Sequence, residues 1–379
     1  MPHDAVTTRK VRENNVIRVL LALREHSSLT RNELCKSLTL SRPTVEVAVA
    51  NLLSKNLLVR NGHGPSEGGR RAVRFAFNNA ARYAIGGDLE LPELNLTLCE
   101  LDGSAILSKT STLTKTDIAK PEKALSVVTH KTEELLRNAG ESLDQVIGMG
   151  LGVPAFLKGN EITISGQNLP QWKHVPVQSM LEKQLHIPIF MDKDVNFMAL
   201  AENHLMGYQD KVMSYIALRK GVKNDVRMGA STLLEGKVFH GGCGNASSLE
   251  HAYVEVDDIE QRSKEAALSA QAAEELTSLI AFSLIEPIKQ MVRLFDPNRL
   301  VIDAKILGSA ETAFINQIAT QLNTELSSEF DWEIEVRQAQ DQSFSCAKGG
   351  ALFVLQRLFS RSDELMKKLV ASPSWDERR

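Results

Sequence analysis

The chain has 379 residues, 43% of them hydrophobic and 24% charged, a balance that fills two or three globular cores and excludes a disordered or fibrous chain. The N-terminus lacks an apolar signal core and no run reaches the roughly 18 to 20 apolar residues that span a bilayer, so no membrane partner and a cytoplasmic location are expected. The net charge of −3 hides an asymmetry: residues 1–80 carry 13 Lys and Arg against 6 Asp and Glu, net +7, and the other 299 residues carry 31 against 41, net −10. A basic end on an acidic body suits one module that displaces counterions from phosphates. Cys35, Cys99, Cys243 and Cys346 are too far apart for a disulfide framework or a zinc knuckle and read as small buried residues.

Residues 14–26 repeat apolar side chains at Val16, Ile17, Leu20, Leu21 and Leu23, the pattern of a helix packed on neighbours. Thr30 and Glu33 have the capping-box spacing, which starts a short helix over 31–38. Ser41 is placed to cap a second helix, Pro43 falls in its first turn, and Asn56 suits a left-handed residue at its end. That helix turns Val45, Ala48, Val49, Leu52 and Leu53 inward. It leaves Arg42, Pro43, Thr44, Glu46, Val47 and Asn51 outside, residue types that meet phosphates, thymine methyls and base edges in a major groove. Residues 57–60 and 72–77 read as strands joined by a glycine-rich loop, 61–71, that ends in Gly68, Gly69, Arg70 and Arg71. Such a loop is suited to enter a minor groove as a wing; the alternative is a surface hairpin with solvated arginines.

From about Ala81 strands and helices alternate. Residues 83–89, 94–100 and 106–108 read as strands, with Asp102-Gly103 as a hairpin turn, followed by a helix over 121–139 that opens on Pro121 and closes on Gly140. The continuous apolar run 146–153 fits a buried parallel strand, as does 187–191, which leads through Asp192-Lys193-Asp194 into a helix over 195–206. The second half repeats the theme: strands over 213–218, 229–234 and 300–303, a long helix over 272–295 kinked at Pro287, and a helix over 310–326. Leu276, Ile280, Leu284 and Ile288 form a stripe read as core or dimer seam, and 361–379 as a charged tail, a frayed helix or an oligomer contact. Two successive α/β lobes with a cleft between them are expected.

Several stretches carry a family resemblance: Val11-Arg12-Glu13-Asn14-Asn15 and Gly68-Gly69-Arg70-Arg71 in the head, and Gly148-Met149-Gly150-Leu151-Gly152-Val153-Pro154, Asn168-Leu169-Pro170-Gln171-Trp172 and Phe295-Asp296-Pro297-Asn298 in the body. With these residues the chain resembles the ROK family of sugar-responsive repressors and sugar kinases. The resemblance implies an α/β chain in which a winged helix-turn-helix, 1–80, precedes an actin-like ATPase body of two ribonuclease-H-like lobes, 81–206 and 207–379, the last with oligomerisation helices. It also implies a homodimer or homotetramer, and a sugar, sugar acid or sugar phosphate as effector.

Departures from the family bear on chemistry. Where its kinases hold ATP phosphates on a glycine turn, this chain has Asp88-Leu89-Glu90-Leu91-Pro92-Glu93, whose carboxylates repel phosphate. Residues 219–225 and Asp303-Ala304-Lys305 likewise replace glycine-rich phosphate and nucleotide elements. On the sugar side, the resemblance maps Asn168, Lys193, Asp194, Glu250 and His251 onto the ligand site, with Asp194 at the general-base position, His251 at a sugar- and zinc-contacting histidine, Lys193 in place of an asparagine and Ser248 in place of a glutamate. For Asp194 the competing reading is a leftover carboxylate paired with Lys193; for His251 it is a satisfied interior histidine. Lys193 at the cleft mouth would favour an anionic effector, unless it merely fills an abandoned site. The expectation is a transcriptional repressor acting on double-stranded operator DNA, with no enzyme activity, cofactor or metal. A sugar kinase with a DNA-binding head, and a regulator controlled by a partner protein without a small ligand, are the alternatives.

Overall fold

The computed structural model describes residues 8–64, 71–118, 120–159, 161–165, 172–221, 225–249, 251–340, 343–360 and 364–371. The head consists of α1 (Thr8–Glu25), β1 (Leu29–Thr30), α2 (Arg31–Leu38), α3 (Arg42–Ser54), β2 (Leu58–His63) and β3 (Val73–Phe77). β1 and β2 flank β3 in an antiparallel sheet, so the short strand before α2, which sequence reasoning missed, completes a winged-helix sheet. β2 extends to His63, which takes Asn61, Gly62 and His63 out of the expected loop.

The first lobe is built on β4 (Tyr83–Glu90), β5 (Glu93–Glu100) and β6 (Ala105–Thr112), an antiparallel meander. After a short turn of helix, α4 (Lys115–Ile118), and α5 (Pro121–Ala139), closed by Gly140 at φ 76°, β7 (Val146–Val153) returns parallel to β4. A hairpin of β8 (Ala155–Lys158) and β9 (Glu161–Ser165), then α6 (Val177–Leu185), lead to β10 (Ile189–Lys193), parallel to β7, and to α7 (Asp194–Leu205). In the order of their appearance these five strands lie 3-2-1-4-5.

The second lobe repeats that order. β11 (Val212–Lys220), β12 (Asp225–Leu234) and β13 (Lys237–Val238) are antiparallel; after β14 (Tyr253–Glu255), α8 (Ile259–Leu268) and α9 (Ala270–Phe295), β15 (Arg299–Asp303) runs parallel to β11. α10 (Glu311–Phe330) then crosses to β16 (Glu335–Gln338), parallel to β15. α9 passes through Pro287 as one helix, and Leu276, Ile280, Leu284 and Ile288 are all buried in the lobe's core, which settles the stripe as core.

The last two helices depart from the expected division. α11 (Ser345–Phe359) lies on β4, β7 and α7 of the first lobe, although it follows the second in sequence. Backbone touches backbone there: a Cβ on Gly86 would sit 1.5 Å from the carbonyl of Ala347, and one on Gly150 2.2 Å from that of Gly350. α12 (Glu364–Val370) buries Met366 and Val370 in the core shared by the head and α11, and Lys55, just past α3, donates from Nζ to the carbonyls of Leu369 and Ala371. This part of the tail is thus a docked helix rather than a frayed one. Of the cysteines, Cys99 and Cys346 are buried as expected, whereas Cys35 is half-buried and Cys243 exposed.

Candidate nucleic-acid interface and inter-lobe cleft

The head's geometry follows from its caps. The amide of Thr30 donates to Glu33 Oε2 at 2.7 Å and that of Glu33 to Thr30 Oγ1 at 3.3 Å, while Thr39 ends α2 in a left-handed conformation, φ 53°. The bond from the Thr30 amide, with smaller contributions from its hydroxyl and Arg74, holds the Glu33 carboxyl below its ordinary range. Two residues on, Ser41 accepts the Thr44 amide and starts α3, with Pro43 in the first turn where no helical bond is lost. Val45, Ala48, Val49 and Leu52 are buried, so the opposite face is forced outward: Arg42, Pro43, Glu46 and Val47 are exposed, and Arg42 pairs with Glu46 at 3.2 Å. Thr44 and Asn51 are only half-buried, Thr44 sharing a 2.8 Å hydroxyl contact with Ser41. On the expected wing, Gly68, Gly69 and Arg70 lie outside the described residues; Arg71 is exposed.

The lobes enclose a cleft of about 480 Å³ whose walls include Asp88, Glu90 and Asp194 of the first lobe and Arg219 and Asp303 of the second. Asp194 opens α7, its Oδ1 accepting the amide of Val195 at 2.8 Å. Burial, then the charges of Asp194 and Glu90, push the Asp88 carboxyl up to about 7. Glu90 and Asp194 are raised in turn, chiefly by burial. The Arg219 guanidinium donates to Asp303 at 3.1 Å and touches Met198 Sδ at 2.9 Å. Burial opposes its charge, but Asp303, Tyr215, Asp194 and Glu90 outweigh burial and hold its pKa up. Sequence reasoning read Arg219 only as a lost glycine loop; Asp303, reached from another strand, gives it its place.

Of the residues expected to hold a sugar, only Lys193, Asp194 and His251 fall among the described residues. Lys193 is 3% exposed and is not among the residues lining this cleft; its ammonium reaches the second lobe, donating to the Ala246 carbonyl at 3.2 Å and Ser248 Oγ at 3.4 Å. It does not stand at the cleft mouth, where an anionic ligand was expected to meet it. His251 is exposed, so the interior-histidine reading does not hold either. Asn168 and Glu250 lie outside the described residues. Two contacts that the sequence did not announce tie the same segment to the first lobe. His240 Nε2 lies 2.6 Å from Asp192 Oδ2, and Asn245 both accepts from the Leu157 amide and donates to its carbonyl. The Asp192 bond raises the His240 pKa against the effect of burial. Among the described residues no three His, Cys, Asp or Glu side chains gather as a metal site.

Two lobes of like topology across a polar cleft, with a winged helix in front, define the actin-like class of fold that ROK regulators and ROK kinases share. The chain superposes on a ROK family transcriptional regulator, a homologue of the E. coli MLC protein, with a TM-score of 0.69 at 17% identity, over 95% of this chain and 99% of that one. On a ROK hexokinase from Thermus thermophilus the TM-score is 0.56 at 19% identity, over 71% of this chain and 97% of that one. Residues 95–263 match the ROK family. In sequence it is 25% identical over 248 residues to the xylose repressor of Caldicellulosiruptor bescii, 65% of this chain and 60% of that protein. It is 22% identical over 251 residues to the DNA-binding transcriptional dual regulator NagC of Escherichia coli, 65% of this chain and 58% of the relative. The matches thus span about 60% of the length of these relatives.

Proposed function

We propose that the protein is a DNA-binding transcriptional regulator, a repressor of carbohydrate-related genes, in which residues 1–80 bind an operator and a kinase-like body with no catalytic role senses a sugar. The observation that carries this reading is α3: a capped helix with a buried inner stripe and an outward face of Arg42, Pro43, Glu46 and Val47, beside a β2–β3 wing. The relatives named as a xylose repressor and as a DNA-binding transcriptional dual regulator support it, as does the basic head. Two such heads in a homodimer would read a two-fold operator in the cytoplasm. The body is proposed to bind a neutral sugar without cofactor or metal, since Asp88, Glu90 and Asp194 accept hydroxyl hydrogen bonds but repel phosphate. The same carboxylates, with Arg219 committed to Asp303, disfavour a kinase.

The test is fluorescence anisotropy of the full chain on DNA selected from a random pool, repeated with a panel of sugars. A specific site, and a sugar that changes affinity by about 5- to 150-fold, is the expected result. Sugar-dependent ADP formation without a DNA site would replace this reading by the kinase. A DNA site indifferent to every sugar would favour control by a partner protein.

A further inference from the structure

A second concavity, of about 1080 Å³, lies apart from the inter-lobe cleft. All three units wall it: Arg24 of α1 from the head, α7 and α11 from the first lobe, and residues 208–211 with the β12–β13 turn from the second. Its charge is opposite to that of the cleft. Asp210 is neutralised by Arg299 at 2.8 Å, and His240 and Asp192 answer each other. What remains on the walls, with Arg357 set over the Phe190 ring, is Arg24, Lys211 and Lys237 against Asp102 and Glu235. In the cleft, once Arg219 is set against Asp303 and Lys220 against Glu260, Lys305 faces Asp88, Glu90, Glu93 and Asp194.

Among the described residues the ammonium groups of Lys211 and Lys237 have no hydrogen-bond or ion-pair partner, and Arg24 is held by the face of the Phe359 ring, 3.7 Å from its centroid, which leaves its N–H donors directed elsewhere. Burial works against the charge on Arg24, and Glu25, then Asp102, favour it; the Asp102 oxygens already accept from Asn79 Nδ2 at 2.7 Å and the Ser104 amide at 2.8 Å. Between the cations the wall offers neutral polar groups, Asn203, His204 and Gln209, and the ring of Tyr208. Desolvation, then the Lys348 charge, keeps the His204 imidazole below its ordinary pKa, so that at neutral pH it both donates and accepts. Gln356 of α11 donates to the Gly236 carbonyl at 2.9 Å, which closes one end of the groove.

We propose that this groove is a binding site for a small polyhydroxylated organic anion, a phosphate ester or a carboxylate, held by Arg24, Lys211 and Lys237. Any acidic or phosphorylated effector then binds at the junction of the head and the lobes, not in the acidic cleft. Because Arg24 belongs to the head and the two lysines to the second lobe, a bound anion bridges them and favours one placement of the head. That last consequence rests on the regulator reading; the binding itself does not.

The test is calorimetry of the full chain with four probes: glucose 6-phosphate, gluconate, inorganic phosphate and, as the neutral control, glucose. At least one of the first two should bind, with a preference over glucose that fades as salt is raised. The Lys211→Ala/Lys237→Ala variant, altered only at exposed positions, should bind it about tenfold or more weakly, and Lys211→Arg/Lys237→Arg should restore it. Arg24→Ala should weaken it as well. A preference between glucose 6-phosphate and gluconate assigns the phosphate or the carboxylate. Silence from glucose 6-phosphate and gluconate up to about 10 mM, or equal affinity in the alanine variant at an unchanged melting temperature, overturns the proposal. Binding without any change in DNA affinity would leave the site standing and remove only its coupling to the head.

Discussion

Arg219 and Asp303, on the adjacent parallel strands β11 and β15, form a 3.1 Å ion pair in which the carboxylate is 2% exposed and the guanidinium 30%. Removing one partner strands the other, which costs more than removing both. Arg219→Met should therefore lower the stability of the body by about 3 kcal/mol, and Arg219→Met with Asp303→Leu should recover most of that loss. Chemical denaturation of the three proteins decides it. If the single and double variants unfold together, the pair is not coupled.

The cleft carboxylates predict a dependence on pH. Asp88 titrates at about 7 in the folded chain, above the usual carboxylate range it returns to on unfolding. The folded state therefore holds a proton that the unfolded state has lost, and stability falls as pH rises from about 4 to about 7, then levels off. Asp88→Asn should flatten this part of the curve. Melting temperatures at intervals from pH 5 to pH 8 would show it, and parallel curves for the variant and the parent would remove Asp88 as the cause. His240, raised by Asp192, has the same sign: its contribution is present below the ordinary histidine pKa and is lost as pH rises through the elevated one.

What could be read from the sequence was local. Thr30 with Glu33, Ser41 with Thr44 and Pro121 with Gly140 each act within one helix, and the structure places those helices within a residue or two of where their caps put them. Alternating strands and helices were legible where a strand's apolar run is continuous, as in β7 and β11, whereas the short or polar β8, β9, β13, β14 and β16 were not read. The contacts that decide the sites are not. Gly86 meets Ala347 backbone to backbone across the fold, which brings α11 to the first lobe, and nothing near either residue announces the other. The Lys193 ammonium donates to the Ala246 carbonyl, supplied by a different lobe and more than fifty residues away, which its neighbour Asp194 does not announce.

For the head, Ser41→Ala removes the oxygen that caps α3 and should destabilise the helix by about 1 kcal/mol. DNA binding should fall with it, and fall further in Arg42→Ala and Thr44→Ala, whose positions face outward or lie at the rim. Arg70→Ala with Arg71→Ala should lower the slope of log affinity against log salt by about 0.9 for each phosphate the variant no longer neutralises. A salt titration of binding that gives the same slope for this double variant would exclude the wing from the interface.

The segment after β13 offers the last prediction. His240, Asn245, Ala246 and Ser248 fix it to Asp192, Leu157 and Lys193 of the first lobe, so it acts as a strap between the lobes. Lys193 is buried, and its ammonium donates to a carbonyl and a hydroxyl of this segment. Lys193→Met keeps most of the apolar stem but leaves the Ala246 carbonyl without that donor, a loss of about 1 to 3 kcal/mol. The effect should be concentrated in the strap: amide hydrogen exchange should speed up at residues 245–249 while α5 and β7 stay protected. Lys193→Arg, which keeps a donor, should exchange more slowly than Lys193→Met. Uniform acceleration across the body would mean that Lys193 supports the fold at large, and unchanged exchange would mean that the strap is held by His240 and Asn245 alone.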